Sequence, residues 1–149
     1  MTNRLDEPME ILLVEDNPGD VRLTREAFRE VPTDVTLCVC TDGDDALEEL
    51  RDRSTSDSIP VPDLTLLDLN LPRTNGFEFL EEIQDDPVLA RIPVLVLTSS
   101  NAGDDILESY ELAANAYLTK PTDPAEFSTM VEAVVDFWFR QATLPPATA

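Results

Sequence analysis

The segment LTLLDLNLP, from Leu64 to Pro72, decides how this chain is interpreted. It is an apolar run of strand length that ends on a carboxylate, Asp68, and a proline follows four residues later. A short, continuous apolar run is typical of a strand that is buried on both faces. Because Pro72 cannot continue a central strand, we expect a loop to begin near Asp68. Asp68 then lies at the carboxyl end of a central strand, where open α/β sheets bind their ligands.

Four further apolar segments predict strands, and segments with helical periodicity separate them. This alternation indicates right-handed crossovers and a mostly parallel sheet with helices on both faces. At this length we expect a flavodoxin-like, doubly wound sheet of five parallel strands with five helices in a single domain. The strand order 2-1-3-4-5 is that of the fold class. We expect residues 1–8 to be a flexible tail, 9–140 the domain and 141–149 a C-terminal tail.

The composition excludes several classes of protein. The chain has 31 acidic and 10 basic residues and a formal net charge of −21, which argues against nucleic acid as a partner. Acids occur in every segment, which is typical of a halophilic protein from a salt-rich cytoplasm. No apolar run reaches the length of a membrane span, and the first residues contain no apolar signal core, so we expect a cytoplasmic protein.

Charged and polar side chains follow four of the predicted strands. They are Glu15 and Asp16 after the first strand, Asp68 after the third, Thr98 after the fourth and Lys120 after the fifth. Lys120 is the only lysine in the chain, and all other basic residues are arginines. The carboxyl ends of parallel strands meet at one edge of the sheet, so we expect these groups to converge.

Such a convergence predicts a site for a metal ion and a phosphoryl group. Two carboxylates about 4 Å apart repel by roughly 4 kcal/mol at an effective dielectric constant near 20, so the acids need a cation or must hold protons. An open site with oxygen ligands suits Mg²⁺. The metal and Lys120 would neutralise phosphoryl oxygens, and Thr98 would donate a hydrogen bond. Asp68 could itself be the nucleophile and form an aspartyl phosphate.

These residues in this order resemble the receiver domain of two-component response regulators. The similarity lies in Ile11–Asn17, in Leu67–Pro72 followed by Gly76, and in Tyr117–Pro121, and it extends over about residues 9 to 140. It implies a regulator that switches partner binding or relays a phosphoryl group, and that catalyses only its own phosphorylation and dephosphorylation. We expect no output domain after residue 149. The end of the chain is also similar to small stand-alone receivers that work with phytochrome-type sensor kinases.

The resemblance implies a role for each residue of the site. Asp68 would accept a phosphoryl group from a histidine kinase or a phosphotransfer protein. Asp16 and Asp68 would bind Mg²⁺ or Mn²⁺ directly, together with the backbone carbonyl of Asn70, and Glu15 would act through water. Lys120 would pair with the phosphoryl group.

Further implied features concern the switch and the loops. Thr98 would move toward the phosphoryl oxygen, and Tyr117 would turn inward when it does. Asn70 and Ser100 would tune the rate of dephosphorylation, and the Lys120–Pro121 peptide bond would be cis. From the residues alone, Tyr117 is equally consistent with a plain core aromatic.

Local patterns lead to two further expectations. We interpret Asn17 as a turn former and Asp20 and Asp42 as helix caps outside the site. In the final helix, consecutive residues turn by about 100°, so Phe139 falls off the apolar face. This predicts an exposed aromatic surface for an unknown downstream partner or a homodimer, formed by Phe137, Trp138 and Phe139 with residues 144–146. Alternatively, the tail folds back and covers Phe139.

Other classes of function stay open at this point. A haloacid-dehalogenase-type phosphatase also forms an aspartyl phosphate, but its Asp-x-Asp-x-Thr motif follows the first strand. A flavodoxin-like cofactor binder needs a phosphate loop rich in hydroxyl groups and glycine after the first strand. A degenerate receiver would serve only as a binding module.

Overall fold

The computed structural model describes residues 8–99 and 102–141, which contain five strands and five α-helices. The strands are β1 Met9–Val14, β2 Val35–Cys40, β3 Leu64–Leu67, β4 Val94–Thr98 and β5 Ala116–Thr119. The helices are α1 Pro18–Glu30, α2 Gly43–Ser54, α3 Gly76–Gln84, α4 Gly103–Glu111 and α5 Pro124–Val135. A short 3₁₀ helix covers Leu89–Arg91, and a π-helix, Asp136–Gln141, continues α5.

The strands form one parallel sheet in the order β2-β1-β3-β4-β5, which confirms the expected flavodoxin-like topology. The register pairs the last residue of β1, Val14, with Cys40 on one side and Leu67 on the other. Thr98 pairs with Thr119 at the ends of β4 and β5. All five strands therefore end at one edge of the sheet, and the residues that follow them meet there.

The central strand β3 is buried on both faces, as its continuous apolar run predicts. Because successive side chains of a strand point to opposite faces, Leu64 and Leu66 pack in the core under α1 and α5. Leu67 packs in the other core, under α2 and α3. Burying each leucine stabilises the fold by about 1.5–3 kcal/mol. Asp68 therefore directly follows a strand that is packed firmly on both of its faces.

Polar side chains cap four of the helices. Asn17, Asp42, Asn75 and Asp123 each accept a hydrogen bond from the backbone N–H three residues further on. The interpretation of Asp42 as a cap is confirmed. The interpretation of Asp20 as a cap is wrong, because Asn17 is the residue with extended backbone before α1 and its Oδ1 lies 3.1 Å from the Asp20 nitrogen. The Asp20 side chain is thus available for another contact.

The first residue of α3 fixes the segment that follows β3. The Gly76 nitrogen donates to the Leu69 carbonyl at 3.0 Å, and a Cβ on Gly76 would lie 2.6 Å from the Leu69 Cα. Only glycine permits this approach without displacing the backbone. The Asn75-Gly76 pair therefore begins a helix and anchors the loop behind Asp68.

The end of the final helix differs from the prediction. Phe139 is 2% exposed and packs in the core under α1 and α5, whereas Phe137 is 54% exposed. The prediction assumed a regular α-helix, but residues 136–141 form a π-helix, in which hydrogen bonds join residues five apart. Widening the turn rotates Phe139 onto the face of Val134 and Val135. Residues 144–146, which were expected to contribute to this surface, lie outside the described ranges.

None of the helices within these described ranges is both long enough and apolar enough to cross a membrane.

Candidate functional site

Asp68 lies where β3 ends, at the centre of the sheet edge. Its backbone N–H donates to the Val14 carbonyl at 3.0 Å, so it continues the pairing with β1 by one residue. Asp68 is buried, with its side chain 7% exposed, and the Asn70 N–H donates to its Oδ1 at 3.2 Å. The carboxylate is therefore held by backbone on one side and leaves Oδ2 for other partners.

Three carboxylates converge at this edge. Oxygen atoms of Glu15, Asp16 and Asp68 all lie within 4.8 Å of one another. Glu15 and Asp68 are buried, whereas Asp16 is exposed. Glu15 is further fixed because its Oε2 accepts the Asn17 N–H at 3.2 Å. The predicted convergence of the acids from the first and third strands is present.

Lys120 reaches into the same cluster from the end of β5. Its Nζ lies 2.5 Å from Glu15 Oε1, 2.8 Å from Asp20 Oδ2 and 3.1 Å from Asp68 Oδ2. An ammonium group has three N–H donors, so the three carboxylates use its full donor capacity. Its backbone N–H donates to the Thr98 carbonyl at 2.8 Å, which ties the end of β5 to the end of β4.

Asp20 is a member of the site that the sequence analysis missed. The interpretation of Asp20 as a helix cap outside the site is wrong, because its carboxylate faces Lys120 from the third position of α1. Because α1 begins only four residues after β1 ends, its first turn lies against the same sheet edge as Glu15 and Asp16. The start of a helix at Pro18 was the only sequence signal that could have placed Asp20 there.

One ammonium cannot neutralise this many acids. The pKa of Glu15 is raised to about 7, chiefly because burial disfavours the charged form and also because Asp68 lies nearby, although the hydrogen bond with Lys120 lowers it. For Lys120, burial lowers the pKa, but hydrogen bonds with Asp20 and Glu15 outweigh this effect, and its pKa is above the usual value. The site therefore carries excess negative charge that favours a cation.

The donor set fits a hard divalent cation. It consists of carboxylate oxygens only, and the exposed Asp16 opens the cluster to solvent, so that a bound ion can keep water ligands. Mg²⁺ and Mn²⁺ prefer oxygen ligands of this kind. The excess negative charge and the oxygen ligands thus both favour a hard divalent cation.

The two predicted switch residues lie on neighbouring strands. Thr98 ends β4 and is fully buried, and Tyr117 in β5 is partly buried against the core under α2 and α3. The structure does not bring Tyr117 into the carboxylate cluster, and Ser100 lies outside the described ranges. The expectation of a cis Lys120–Pro121 bond is wrong, because this bond is trans. The trans isomer is the intrinsically favoured one, by about 0.5–1 kcal/mol.

Comparisons with known proteins agree with this geometry. The family model of the response regulator receiver domain matches residues 11–132. The chain is 42% identical over 147 residues to response regulator Rcp1 of Synechocystis sp. PCC 6803, covering 99% of this chain and 100% of that protein.

Two solved structures share both fold and sequence with the chain. The phosphorylated cyanobacterial phytochrome response regulator RcpA is 41% identical with a TM-score of 0.86, over 94% of this chain and 100% of that one. The Mn²⁺-bound form of Rcp1 is 43% identical with a TM-score of 0.83, over 93% of this chain and 100% of that one. The matched family is neither that of the haloacid-dehalogenase-type phosphatases nor that of the flavodoxin-like cofactor binders. The chain belongs to the response regulator receiver family.

Proposed function

We propose that Asp68 is the phosphoryl acceptor of a two-component system and that this reaction requires a divalent cation. The observation that supports this best is the placement of Lys120 Nζ, 3.1 Å from Asp68 Oδ2, beside a cluster of three carboxylates. A nucleophilic carboxylate beside a fixed cation is what phosphoryl transfer requires, since positioning and charge stabilisation supply most of the catalysis.

In the proposed reaction, an oxygen of Asp68 attacks the phosphorus of a phosphohistidine on the donor protein. A P–O bond forms as the P–N bond breaks, and the imidazole leaves and takes up a proton. The Lys120 ammonium stabilises the charge on the phosphoryl oxygens, and the Thr98 hydroxyl donates to one of them. Hydrolysis of the aspartyl phosphate returns the acceptor to its starting state, so the reactions of this proposal are the phosphorylation and dephosphorylation of the protein itself.

Mg²⁺ or Mn²⁺ is the cofactor of this proposal. Asp16, Asp68 and the backbone carbonyl of Asn70 would hold the ion, and Glu15 would act through water. The ion, when bound, neutralises charge on the carboxylates and on the phosphoryl oxygens. The Mn²⁺-bound relative supports this assignment.

The output of the reaction is a change of surface. Thr98 moves toward the phosphoryl group, Tyr117 turns inward, and the face formed by β4, β5 and the final helix changes its affinity for a partner. We take residues 9–140 as the receiver domain that carries this switch, with tails at 1–8 and 141–149.

The partners follow from the family and from the relatives. We propose a histidine kinase or a phosphotransfer protein as the phosphoryl donor, in the cytoplasm. The resemblance to phytochrome response regulators favours a light-sensing kinase of the phytochrome type. The exposed Phe137 and the adjacent Trp138 would form a contact with a second copy or a downstream protein. Phe139, which is buried, is not part of that contact.

The acceptor assignment is tested with acetyl phosphate as the donor. After incubation with Mg²⁺ in high salt, we expect the intact mass of the wild-type protein to increase by one phosphoryl group, and that of Asp68→Asn to stay unchanged. The neutral amide has the same shape but is a poor nucleophile. Phosphorylation of both proteins would show that a residue other than Asp68 is the acceptor. Modification of neither would favour a degenerate receiver that serves only as a binding module.

We further propose that the acidic surface is adapted to a salt-rich cytoplasm. The 31 acidic residues far outnumber the 10 basic residues that could pair with them, and one of these, Lys120, forms its ion pairs inside the site. Because the Debye length falls from about 10 Å at 0.1 M salt to about 3 Å at 1 M, raising potassium chloride from 0.1 to 3 M should raise the melting temperature by about 10 °C or more.

Calorimetry in potassium chloride measures this shift, and sucrose, which is excluded from protein surfaces but screens no charge, is the control. Equal melting temperatures at both salt concentrations would contradict the adaptation.

A further inference from the structure

Lys120 is surrounded by the carboxylates of Glu15, Asp20 and Asp68, which undergo different changes in the proposed reaction. Asp68 becomes an acyl phosphate, and Glu15 belongs to the carboxylate cluster that would engage a metal ion. Asp20 does neither: among the described residues, the group able to hold a metal consists of Glu15, Asp16 and Asp68. Its carboxylate is therefore the one partner of Lys120 that keeps the same chemical state throughout.

The backbone of Asp20 is fixed on both sides. Its N–H donates to Asn17 Oδ1 at 3.1 Å, and its carbonyl accepts the Thr24 hydroxyl at 2.8 Å. Thr24 is buried, and α1 packs along α5 in the core on the same side of the sheet. The carboxylate therefore projects from a rigid first helical turn, which makes it a fixed point against which a flexible lysine can be set.

We propose that Asp20 is a positioning residue for phosphoryl transfer, which holds the Lys120 ammonium at the mouth of the site while the other two carboxylates change partners. This inference rests on the proposed function and adds to it a residue that neither the family resemblance nor the sequence pattern assigned. The 2.8 Å contact is a charge-assisted hydrogen bond, the stronger class of such bonds.

The size of the effect follows from the exposure of the pair. The Asp20 side chain is 29% exposed and that of Lys120 10%, so solvent weakens the interaction without abolishing it. Lysine has a flexible four-carbon stem, and losing one of its anchors lets the ammonium sample positions away from Asp68. Replacing Asp20 by asparagine should lower the rate of phosphorylation by about fivefold, since a poorly positioned group loses much of its effect.

The chain offers a closely matched control. Asp45 is the third residue of α2, as Asp20 is of α1, and its N–H donates to the cap Asp42 in the same way. Asp45→Asn removes the same charge from the same helical position, but Asp45 is exposed and no ion pair joins it to Lys120. A general effect of charge or helix stability would therefore appear in both variants.

Because Lys120 is the only lysine, labelling with ¹⁵N-lysine gives a single side-chain ammonium signal for NMR. In the Mg²⁺-loaded protein we expect a slowly exchanging signal in the wild type and in Asp45→Asn. In Asp20→Asn this signal should broaden or disappear. A merely structural role for Asp20 would lower the melting temperature without this selective change.

The same three proteins are assayed for the rate of acetyl phosphate-driven modification at saturating Mg²⁺, and for Mg²⁺ affinity. The proposal requires both the broadening or loss of the ammonium signal and the about fivefold slower reaction in Asp20→Asn, with Mg²⁺ affinity within about twofold of wild type. An unchanged signal, or a rate equal to that of Asp45→Asn, would overturn it. If the wild type itself is not modified, the proposed function fails as well, so the two failures are distinguishable.

Discussion

Replacement of Lys120 by alanine is expected to slow the phosphorylation of Asp68 by about 100-fold or more. Lys120 is the only cation that contacts the acceptor carboxylate among the described residues, with Nζ 3.1 Å from Oδ2. A preorganised cation at the position where charge develops contributes about 100- to 1,000-fold to reactions of this kind. The rate of mass increase with acetyl phosphate and saturating Mg²⁺, compared with that of wild type, measures the loss.

Two further measurements separate this effect from damage to the fold. Removing the ammonium leaves Glu15, Asp20 and Asp68 without their shared partner, so the variant should melt at a lower temperature than wild type in the absence of metal. Mg²⁺ should recover part of that loss, because it supplies positive charge to the same cluster. The Lys120→Arg variant keeps the charge but not the compact geometry and should react at an intermediate rate. A folded Lys120→Ala protein that reacts within threefold of wild type would contradict the role of Lys120.

The position of the acceptor was predictable because the apolar sequence of β3 indicates a strand at the centre of the sheet. A continuous apolar run of this length that ends at Asp68 is typical of a strand buried on both faces, and such a strand belongs at the centre of a parallel sheet. The chemistry of the site then follows from topology, since all strands of a parallel sheet end at the same edge. Glu15, Asp16 and Lys120 were identified by the same rule, without knowledge of any distance.

Asp20 was not predictable, because cap chemistry is local and degenerate. Asn17 and Asp20 can both accept backbone N–H groups at the start of a helix, and sequence alone does not say which residue has extended backbone. The contact that determines the role of Asp20 is made with Lys120, 100 residues further along the chain. The helix start at Pro18 indicates that Asp20 lies near the sheet edge, but nothing near Asp20 in the sequence indicates its partner, which approaches only when the sheet is assembled.

Phe139 shows a different limit, which concerns the geometry of helices. The prediction applied a turn of about 100° per residue throughout the last helix, and small errors accumulate with each residue. A single widened turn over residues 136–141 is enough to exchange the buried and the exposed aromatic side chain. The π-turn places Phe139 in the core under α1 and α5.

The consequence for stability is large. Replacing Phe139 by alanine should lower the free energy of unfolding by about 3–5 kcal/mol, because it removes a fully buried aromatic ring and leaves a cavity under α1 and α5. Replacing Phe137 by alanine should lower it by only about 0.5–1.5 kcal/mol, the typical contribution of an edge-to-face pair such as that with Trp138 at a ring distance of 5.2 Å. Urea denaturation in high salt measures both changes.

The same pair of variants separates the core from the proposed contact surface. If Phe137 and Trp138 join two copies, sedimentation velocity should show a dimeric wild type, and Phe137→Ala should shift it toward the monomer while its stability is preserved. Phe139→Ala that remains folded should still self-associate, because its side chain is buried in the core and not exposed to solvent. Equal losses of stability in the two variants would contradict the placement of Phe139, and a monomeric wild type would remove the dimer while leaving a downstream protein as the occupant of this surface.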